Sequence, residues 1–237
     1  MFNKIRFPGG HQFEQLIDED AHNFCLALAT ETAIRKLRNT ADTWQSRHPN
    51  AKVMDLLFGD YAKNIVKQYL YLIMPDIDII EYDQIRTDDF VNRDLFDLKV
   101  GNDEIEVKSS LEKYSRNLNT INNDRNIIIN RHYSHISNAK YIFQVFYIPN
   151  NLSSFISMEA INLINSQEFN SEIFENHIKD FSLSKMDVFI CGWIRNNNSA
   201  QGSFGVSNSN TGANYRTYAR MPIRDSHNPE EFVNEFI

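Results

Sequence analysis

The stretch Phe96–Ser110 reads FDLKVGNDEIEVKSS and contains two short segments in which apolar and polar residues alternate. Gly101 and Asn102 lie between these segments, and a glycine in the first position suits a two-residue type II′ turn. This turn places Asp97 opposite Glu106. The pairs predicted nearer the turn are Leu98–Ile105, Lys99–Glu104 and Val100–Asp103. The stretch therefore predicts a β-hairpin in which two carboxylates face each other.

By strand alternation, the two carboxylates share the polar face of the hairpin with Lys108, while the opposite face is apolar. Like charges at cross-strand distance destabilise a sheet unless a positive charge lies between them. We therefore predict a Mg²⁺ site at Asp97 and Glu106, with Mn²⁺ able to replace Mg²⁺. Lys108 would hold a water molecule or neutralise charge developing on a phosphate. The alternative is a surface hairpin stabilised by a Lys99–Glu104 ion pair.

The rest of the chain predicts helices first and then strands alternating with helices. Apolar residues recur at helical spacing from His11 to Arg38 and from Ala51 to Ile73, where Gly59 is a point at which the run can divide. The period then changes to two residues, which is typical of strands. Strands are predicted in KYIFQVFYI, MDVFICGWI and NYRTYARMPI, and helices in Leu111–Ile121 and Phe155–Ile164. This order predicts an α/β domain with a mixed central sheet flanked by helices.

The composition is that of a globular protein. The 237 residues include 42% hydrophobic residues, 8 glycines and 6 prolines, which excludes collagen-like and low-complexity classes. We expect a single domain over residues 1–237, with a mainly helical part at 1–75 and the sheet core at 76–237. No apolar stretch approaches the roughly 20 residues of a spanning helix, so a cytoplasmic location is expected. Cys25 and Cys191 are expected to remain free thiols.

The formal charge of −7 is distributed unevenly along the chain. Eleven acids and three bases lie between Asp76 and Glu106, whereas Val188–Arg224 contains four arginines and no acid. An acidic region next to basic ones predicts a cation site flanked by surfaces for an anionic polymer. The alternative is an acidic face exposed to solvent and balanced by basic faces.

The hairpin sequence resembles the core motif of the PD-(D/E)xK nuclease superfamily. The resemblance implies a restriction-endonuclease-like α/β sandwich, with Asp97 and Glu106 as metal ligands and Lys108 as the catalytic lysine of phosphodiester hydrolysis. Phe96 replaces the nominal proline of the motif, and Asp94 is a rival for the first acid. For a chain of this length without helicase or ATPase motifs, the resemblance favours a site-specific type II restriction endonuclease.

Many members of this superfamily also use an acid from an upstream helix. The segment FGDYAKNIVKQYL resembles that helix and offers Asp60 as a further metal ligand. Lys63 and Asn64 stand where a glutamate would be expected, and Glu31 is the alternative acid. The sequence therefore leaves the third carboxylate open between Asp60, Glu31 and neither.

The segment Arg195–Tyr215 consists mostly of Asn, Ser and Gly and is predicted to be a loop that contributes to DNA recognition. The alternative is a surface loop without a function, because mobile loops have the same composition. Asn pairs with adenine and Arg with guanine in the major groove. The predicted DNA contacts are Arg195, Asn208, Asn210, Asn214, Arg216 and Arg220. Two-fold symmetry in duplex DNA also predicts a homodimer.

Two other functional interpretations remain open. One is a non-catalytic module that keeps the fold and binds nucleic acid or protein. The other is a nuclease of DNA repair or of mobile elements. Retention of Asp97, Glu106 and Lys108 on one face favours an enzyme over the non-catalytic module.

Overall fold

The computed structural model describes residues 1–39, 49–92, 94–112, 114–131, 139–150, 178, 182–196, 205–207 and 216–237. Ten strands are present in these ranges: β1 (Phe2–Arg6), β2 (Gln12–Leu16), β3 (Ile79–Glu81), β4 (Leu98–Val100), β5 (Asp103–Leu111), β6 (Asn126–Arg131), β7 (Tyr141–Pro149), β8 (Met186–Arg195), β9 (Gly205–Ser207) and β10 (Arg216–Pro222). The α-helices in the same ranges are α1 (Glu19–Asn39), α2 (Pro49–Ile73), α3 (Tyr82–Ile85) and α4 (Leu118–Asp124).

The central sheet has seven strands in the order β1-β2-β8-β7-β5-β4-β3. Neighbouring strands are antiparallel except for β5 and β7, which are parallel. The parallel pair requires a crossover, and α4 lies within that connection. The predicted α/β class with a mixed, helix-flanked sheet is therefore confirmed.

The prediction of one helix from His11 to Arg38 is wrong at its beginning. The chain starts instead with a hairpin, in which β1 pairs with β2 from Phe2 opposite Leu16 to Arg6 opposite Gln12. Gly9 and Gly10 have φ values of +100° and +92°, which form a turn that other residues rarely adopt. The helix begins only after Asp18, whose side chain accepts a hydrogen bond from the backbone N–H of Ala21 at 3.1 Å.

Two further helix predictions need correction. Gly59 does not divide the second helical run, because α2 is one continuous helix. The helix predicted at Leu111–Ile121 begins later, since β5 continues to Leu111 opposite Tyr147 of β7. The Asn117 side chain caps α4 by accepting a hydrogen bond from the backbone N–H of Asn119. The helix predicted at Phe155–Ile164 lies outside the described residues.

A second sheet contains three antiparallel strands in the order β6-β10-β9. Its middle strand confirms the strand predicted in NYRTYARMPI. β9 lies inside the segment Arg195–Tyr215, so that segment is not the continuous loop that its composition predicts. Backbone pairing between Gly205 and Tyr218 stabilises β9 despite its weak strand propensity.

Two apolar cores lie on the two faces of the central sheet. One core includes Tyr141, Phe143 and Val145 of β7 together with buried residues of α1 and α2. The other includes Ile142 and Phe146 of the same strand together with residues of α4 and β6. Because alternate residues of β7 enter opposite cores, all nine residues of this strand are buried.

Cys25 and Cys191 are both buried and free, as predicted. Within the described ranges, no helix has the length and apolar character needed to cross a membrane.

Candidate active site

Three of the four predicted pairs of the β4–β5 hairpin form, whereas the predicted pair Asp97–Glu106 lies beyond the end of the ladder. Leu98 pairs with Ile105, Lys99 with Glu104, and Val100 with Asp103. Gly101 has a φ of +59°, and Asn102 is not among the non-glycine residues with positive φ, as a type II′ turn requires. β5 extends beyond the beginning of β4, so Glu106 and Lys108 lie where only β7 continues alongside.

Asp97 lies immediately before β4 and makes two hydrogen bonds to β5. Its backbone N–H donates to the carbonyl oxygen of Ile105 at 3.0 Å. Its carboxylate Oδ2 accepts a hydrogen bond from the backbone N–H of Val107 at 2.6 Å. The side chain thereby satisfies a strand N–H at the point where β4 no longer supplies a partner.

The Asp97 and Glu106 carboxylates repel each other across the hairpin. Burial, followed by the negative charge of Glu106, raises the pKa of Asp97 to about 7. Lys63 and Lys108 act in the opposite direction and lower this pKa. Two crowded carboxylates with lysines nearby form an electrostatic environment that an additional cation would stabilise.

Glu106 and Lys108 are partly exposed and form an ion pair with each other. Lys108 lies in register with Gln144 of β7, whose buried side-chain amide donates to the Lys108 carbonyl oxygen at 3.3 Å and to Ser110 Oγ at 3.2 Å. The backbone of β5 is therefore held on the β7 side by both the ladder and Gln144. The Lys108 side chain retains 34% exposure and is therefore accessible from solvent.

Asp60 lies on α2, as predicted, but its carboxylate is bound by lysines. Its Oδ1 accepts hydrogen bonds from Lys36 Nζ at 2.7 Å and from Lys63 Nζ at 3.1 Å. Its Oδ2 is buried and has no hydrogen-bond partner. The rival upstream acid, Glu31, is exposed on α1.

Asp94, the rival for the first acid, is not the partner of Glu106 in the candidate metal-binding pair. It belongs instead to a set of ion pairs next to the hairpin. Its carboxylate contacts Lys36 Nζ at 3.3 Å and also contacts Arg86. We call this set the buried ion cluster after its four buried members, Lys36, Asp60, Lys63 and Glu81. Its more exposed members are Lys67, Asp83, Arg86, Asp88 and Asp94. Sequence reasoning did not identify this cluster, although the Asp60–Lys63 spacing is typical of a helical ion pair.

The buried ion cluster changes the interpretation of the acidic stretch Asp76–Glu106. Lys63 contacts Glu81 at 2.7 Å and also contacts Asp83. Burial lowers the pKa of Lys63, but the charges of Asp60, Asp83 and Glu81 outweigh burial and raise this pKa well above its usual value. Three of the eleven acids in this stretch, Glu81, Asp83 and Asp94, therefore pair with lysines from α1 and α2, and the acidic stretch as a whole is not one cation site.

The residues that fit a divalent metal ion are Asp97 and Glu106, whose crowded oxygens are hard ligands. No group of three or more His, Cys, Asp or Glu side chains in the described part of the chain is arranged to hold a metal ion. Asp60 is committed to lysines through Oδ1, so only Oδ2 remains to act as the predicted third ligand.

The structure places only part of the predicted DNA contacts. Arg195 is exposed at the end of β8 and forms a two-point ion pair with Glu235, at 2.9 Å from Nε and 2.7 Å from a terminal nitrogen. Arg216 and Arg220 lie on β10, but their side chains are outside the described residues, as are Asn208, Asn210 and Asn214.

No protein-family model matches this chain, and no curated protein or solved structure is significantly similar to it.

Proposed function

We propose that this protein is a Mg²⁺-dependent endodeoxyribonuclease that hydrolyses phosphodiester bonds of duplex DNA, as a site-specific type II restriction endonuclease does. The observation that most supports this proposal is the location of Asp97, Glu106 and Lys108 around the end of one hairpin. The Asp97 carboxylate bonds to β5, and Glu106 pairs with Lys108 on that strand. Two carboxylates and a lysine supply the metal ligands and the cation that phosphodiester hydrolysis requires.

The order of the elements also supports a restriction-endonuclease-like sandwich. α2 precedes three antiparallel strands, β3, β4 and β5, and a crossover through α4 leads to β7 parallel to β5. The sequence resemblance requires this same order of a helix, a hairpin, a second helix and a strand. This order of elements supports the fold that the resemblance implies.

Each site residue has a distinct proposed role. Asp97 and Glu106 would hold Mg²⁺, which supplies positive charge for a phosphate oxygen and for an attacking water. Lys108 stabilises the negative charge that develops on the phosphate, and its ion pair with Glu106 orients the ammonium group. A symmetric homodimer would present one such site to each strand of the duplex, and light scattering of the free and DNA-bound protein measures this.

Replacing Glu106 tests the proposal directly. We expect E106Q to lower the cleavage rate of mixed-sequence duplex DNA in Mg²⁺ by about 100-fold or more, because a metal ligand supplies several kcal/mol of transition-state stabilisation. The metal-free protein should be equally stable or more stable, since relief of the repulsion with Asp97 offsets the loss of the partly exposed Glu106–Lys108 ion pair. Thermal melting in EDTA checks this second expectation.

E104Q is the matched control, because it makes the same change on the same strand two residues earlier. This control should cleave DNA at the wild-type rate. Substantial Mg²⁺-dependent cleavage by E106Q would contradict the assignment of the site. Wild-type protein that binds DNA without cleaving it would favour the non-catalytic module.

A further inference from the structure

Arg86 begins a segment that leads directly to Asp97. We call the described residues 86–92 and 94–96 the Arg86 loop; it follows α3 and ends next to Asp97. The first residue of α3, Tyr82, donates its backbone N–H to the carbonyl oxygen of Asp97 at 3.3 Å. The Tyr82 ring also packs edge-on against the buried ring of Phe96, at 5.1 Å between centroids. The end of the loop is therefore held against the helix that precedes it.

The Arg86 guanidinium contacts the Arg86 loop at three places. It binds both carboxylate oxygens of Asp88, at 2.7 and 3.2 Å, and donates to the carbonyl oxygen of Asn92 at 2.6 Å. It also forms an ion pair with Asp94. The Arg86 side chain is 3% exposed, whereas the side chains of Asp88 and Asp94 are 23% and 31% exposed, so the guanidinium is covered by partners that themselves reach the surface.

Backbone strain in the same loop is compensated by these contacts. Asp89 and Phe90 have φ values of 45° and 68°, which non-glycine residues rarely adopt. Phe90 is nonetheless buried, with the Arg86 guanidinium 4.5 Å and the Arg35 guanidinium 5.1 Å from its ring centroid. Strained backbone of this kind persists only where the surrounding contacts hold it in place.

We propose that Arg86 is a positioning residue for Asp97. By closing the Arg86 loop, Arg86 holds the Asp97 carboxylate beside Glu106, where it accepts the Val107 N–H. This inference rests on the proposed function, because it concerns the same metal-binding pair. Arg86 acts through the loop backbone and through Asp88 and Asp94. A lysine at position 86 cannot replace it, since a single ammonium group lacks the planar set of donors that binds three partners at once.

Two variants and one control test this role. R86K keeps the positive charge and removes the planar donors, whereas D88N weakens only the contact between the Arg86 guanidinium and position 88. D89N is the matched control, because it changes the adjacent carboxylate, which pairs with Arg35 at 3.2 Å on the surface. If R86K does not fold, D88N decides the result.

The first measurement is the Mg²⁺ concentration that gives half-maximal cleavage of duplex DNA. We expect R86K and D88N to raise this concentration about 10- to 100-fold, with the rate recovering at saturating Mg²⁺, because residues that orient a ligand change metal affinity by this amount. A merely structural role would lower the active fraction equally at every Mg²⁺ concentration. That result, or an equal effect of D89N, would overturn the proposal.

The second measurement does not depend on cleavage. In EDTA, the Val107 amide should exchange its proton faster in R86K and D88N than in the wild type, while the Ile105 amide keeps its protection. Wild-type exchange at Val107 in both variants would overturn the role of Arg86. Absence of Mg²⁺-dependent cleavage in the wild type would instead contradict the proposed function, and Val107 exchange would then decide the positioning role alone.

Discussion

The Asp97 carboxylate completes the β5 hydrogen bonding and is also one member of a repelling pair. It accepts the Val107 N–H at 2.6 Å, which favours its ionised form. Burial and the Glu106 charge oppose ionisation more strongly, so the pKa of Asp97 is raised. Ionisation of Asp97 therefore lowers the free energy of unfolding of the metal-free protein, and a bound cation would restore that stability.

The pKa of Asp97 predicts a specific pH dependence of stability in EDTA. The folded-state pKa of about 7 lies above the value of about 4 in the unfolded chain. The resulting contribution to stability is complete below about pH 4 and is lost as the pH rises to 7. We expect the stabilities of the wild type and D97N to diverge by up to about 1.4 kcal/mol per pH unit in this window, with D97N relatively more stable at high pH.

Urea unfolding between pH 4 and 8 measures this divergence. Asparagine keeps an oxygen that accepts the Val107 N–H, so the comparison isolates the charge. D124N, an exposed change on α4, should follow the wild type throughout. Parallel pH profiles for the wild type and D97N would contradict the raised pKa of Asp97.

Replacing Lys108 should affect turnover more than binding. A cation that stabilises the transition state changes the rate, whereas a simple phosphate contact changes affinity. We expect K108A to lower the single-turnover rate about 100-fold or more, with little change in DNA affinity measured in Ca²⁺. K99A in the same hairpin should retain the wild-type rate. Lost affinity with an unchanged rate in K108A would show that Lys108 only contacts phosphate.

Among the elements, the hairpin was predictable because its information is local. Gly101 and Asn102 specify the turn, and the alternation on either side specifies the register up to Leu98 opposite Ile105. The strands β7 and β8 were predictable for a similar reason, since continuous apolar runs of this length are typical of buried strands.

Two features depend on contacts that local patterns do not contain. Gln12–Leu16 has a composition compatible with a helix, and only pairing with β1 and β8 makes it a strand. The buried ion cluster joins residues far apart in sequence, such as Lys36 with Asp60 and with Asp94, 24 and 58 positions away. A charge count along the chain cannot distinguish such compensated carboxylates from exposed ones.

On the scale of the whole molecule, the three-stranded sheet packs against the face of the central sheet that carries Glu106. Glu106 is in register with Ile142, so both lie on the same face of the central sheet. Ile142 belongs to the core that also contains Ile121 of α4 and Ile127 of β6. The three-stranded sheet therefore packs on the face that presents Glu106 and Lys108, and its strand β10 follows the asparagine-rich segment in sequence.

This arrangement predicts that site recognition is separable from cleavage. The triple variant N208S/N210S/N214S changes only residues between β9 and β10, whereas Asp97, Glu106 and Lys108 lie at the central sheet. Each lost Asn–adenine pair removes about 1–3 kcal/mol of discrimination, so preference for the cleavage site should fall at least about tenfold while Mg²⁺-dependent cleavage continues. Sequencing of fragment ends measures this, with N119S/N123S on α4 as the control. An unchanged site preference in the triple variant would place recognition elsewhere, and loss of all cleavage would contradict the separation of the two functions.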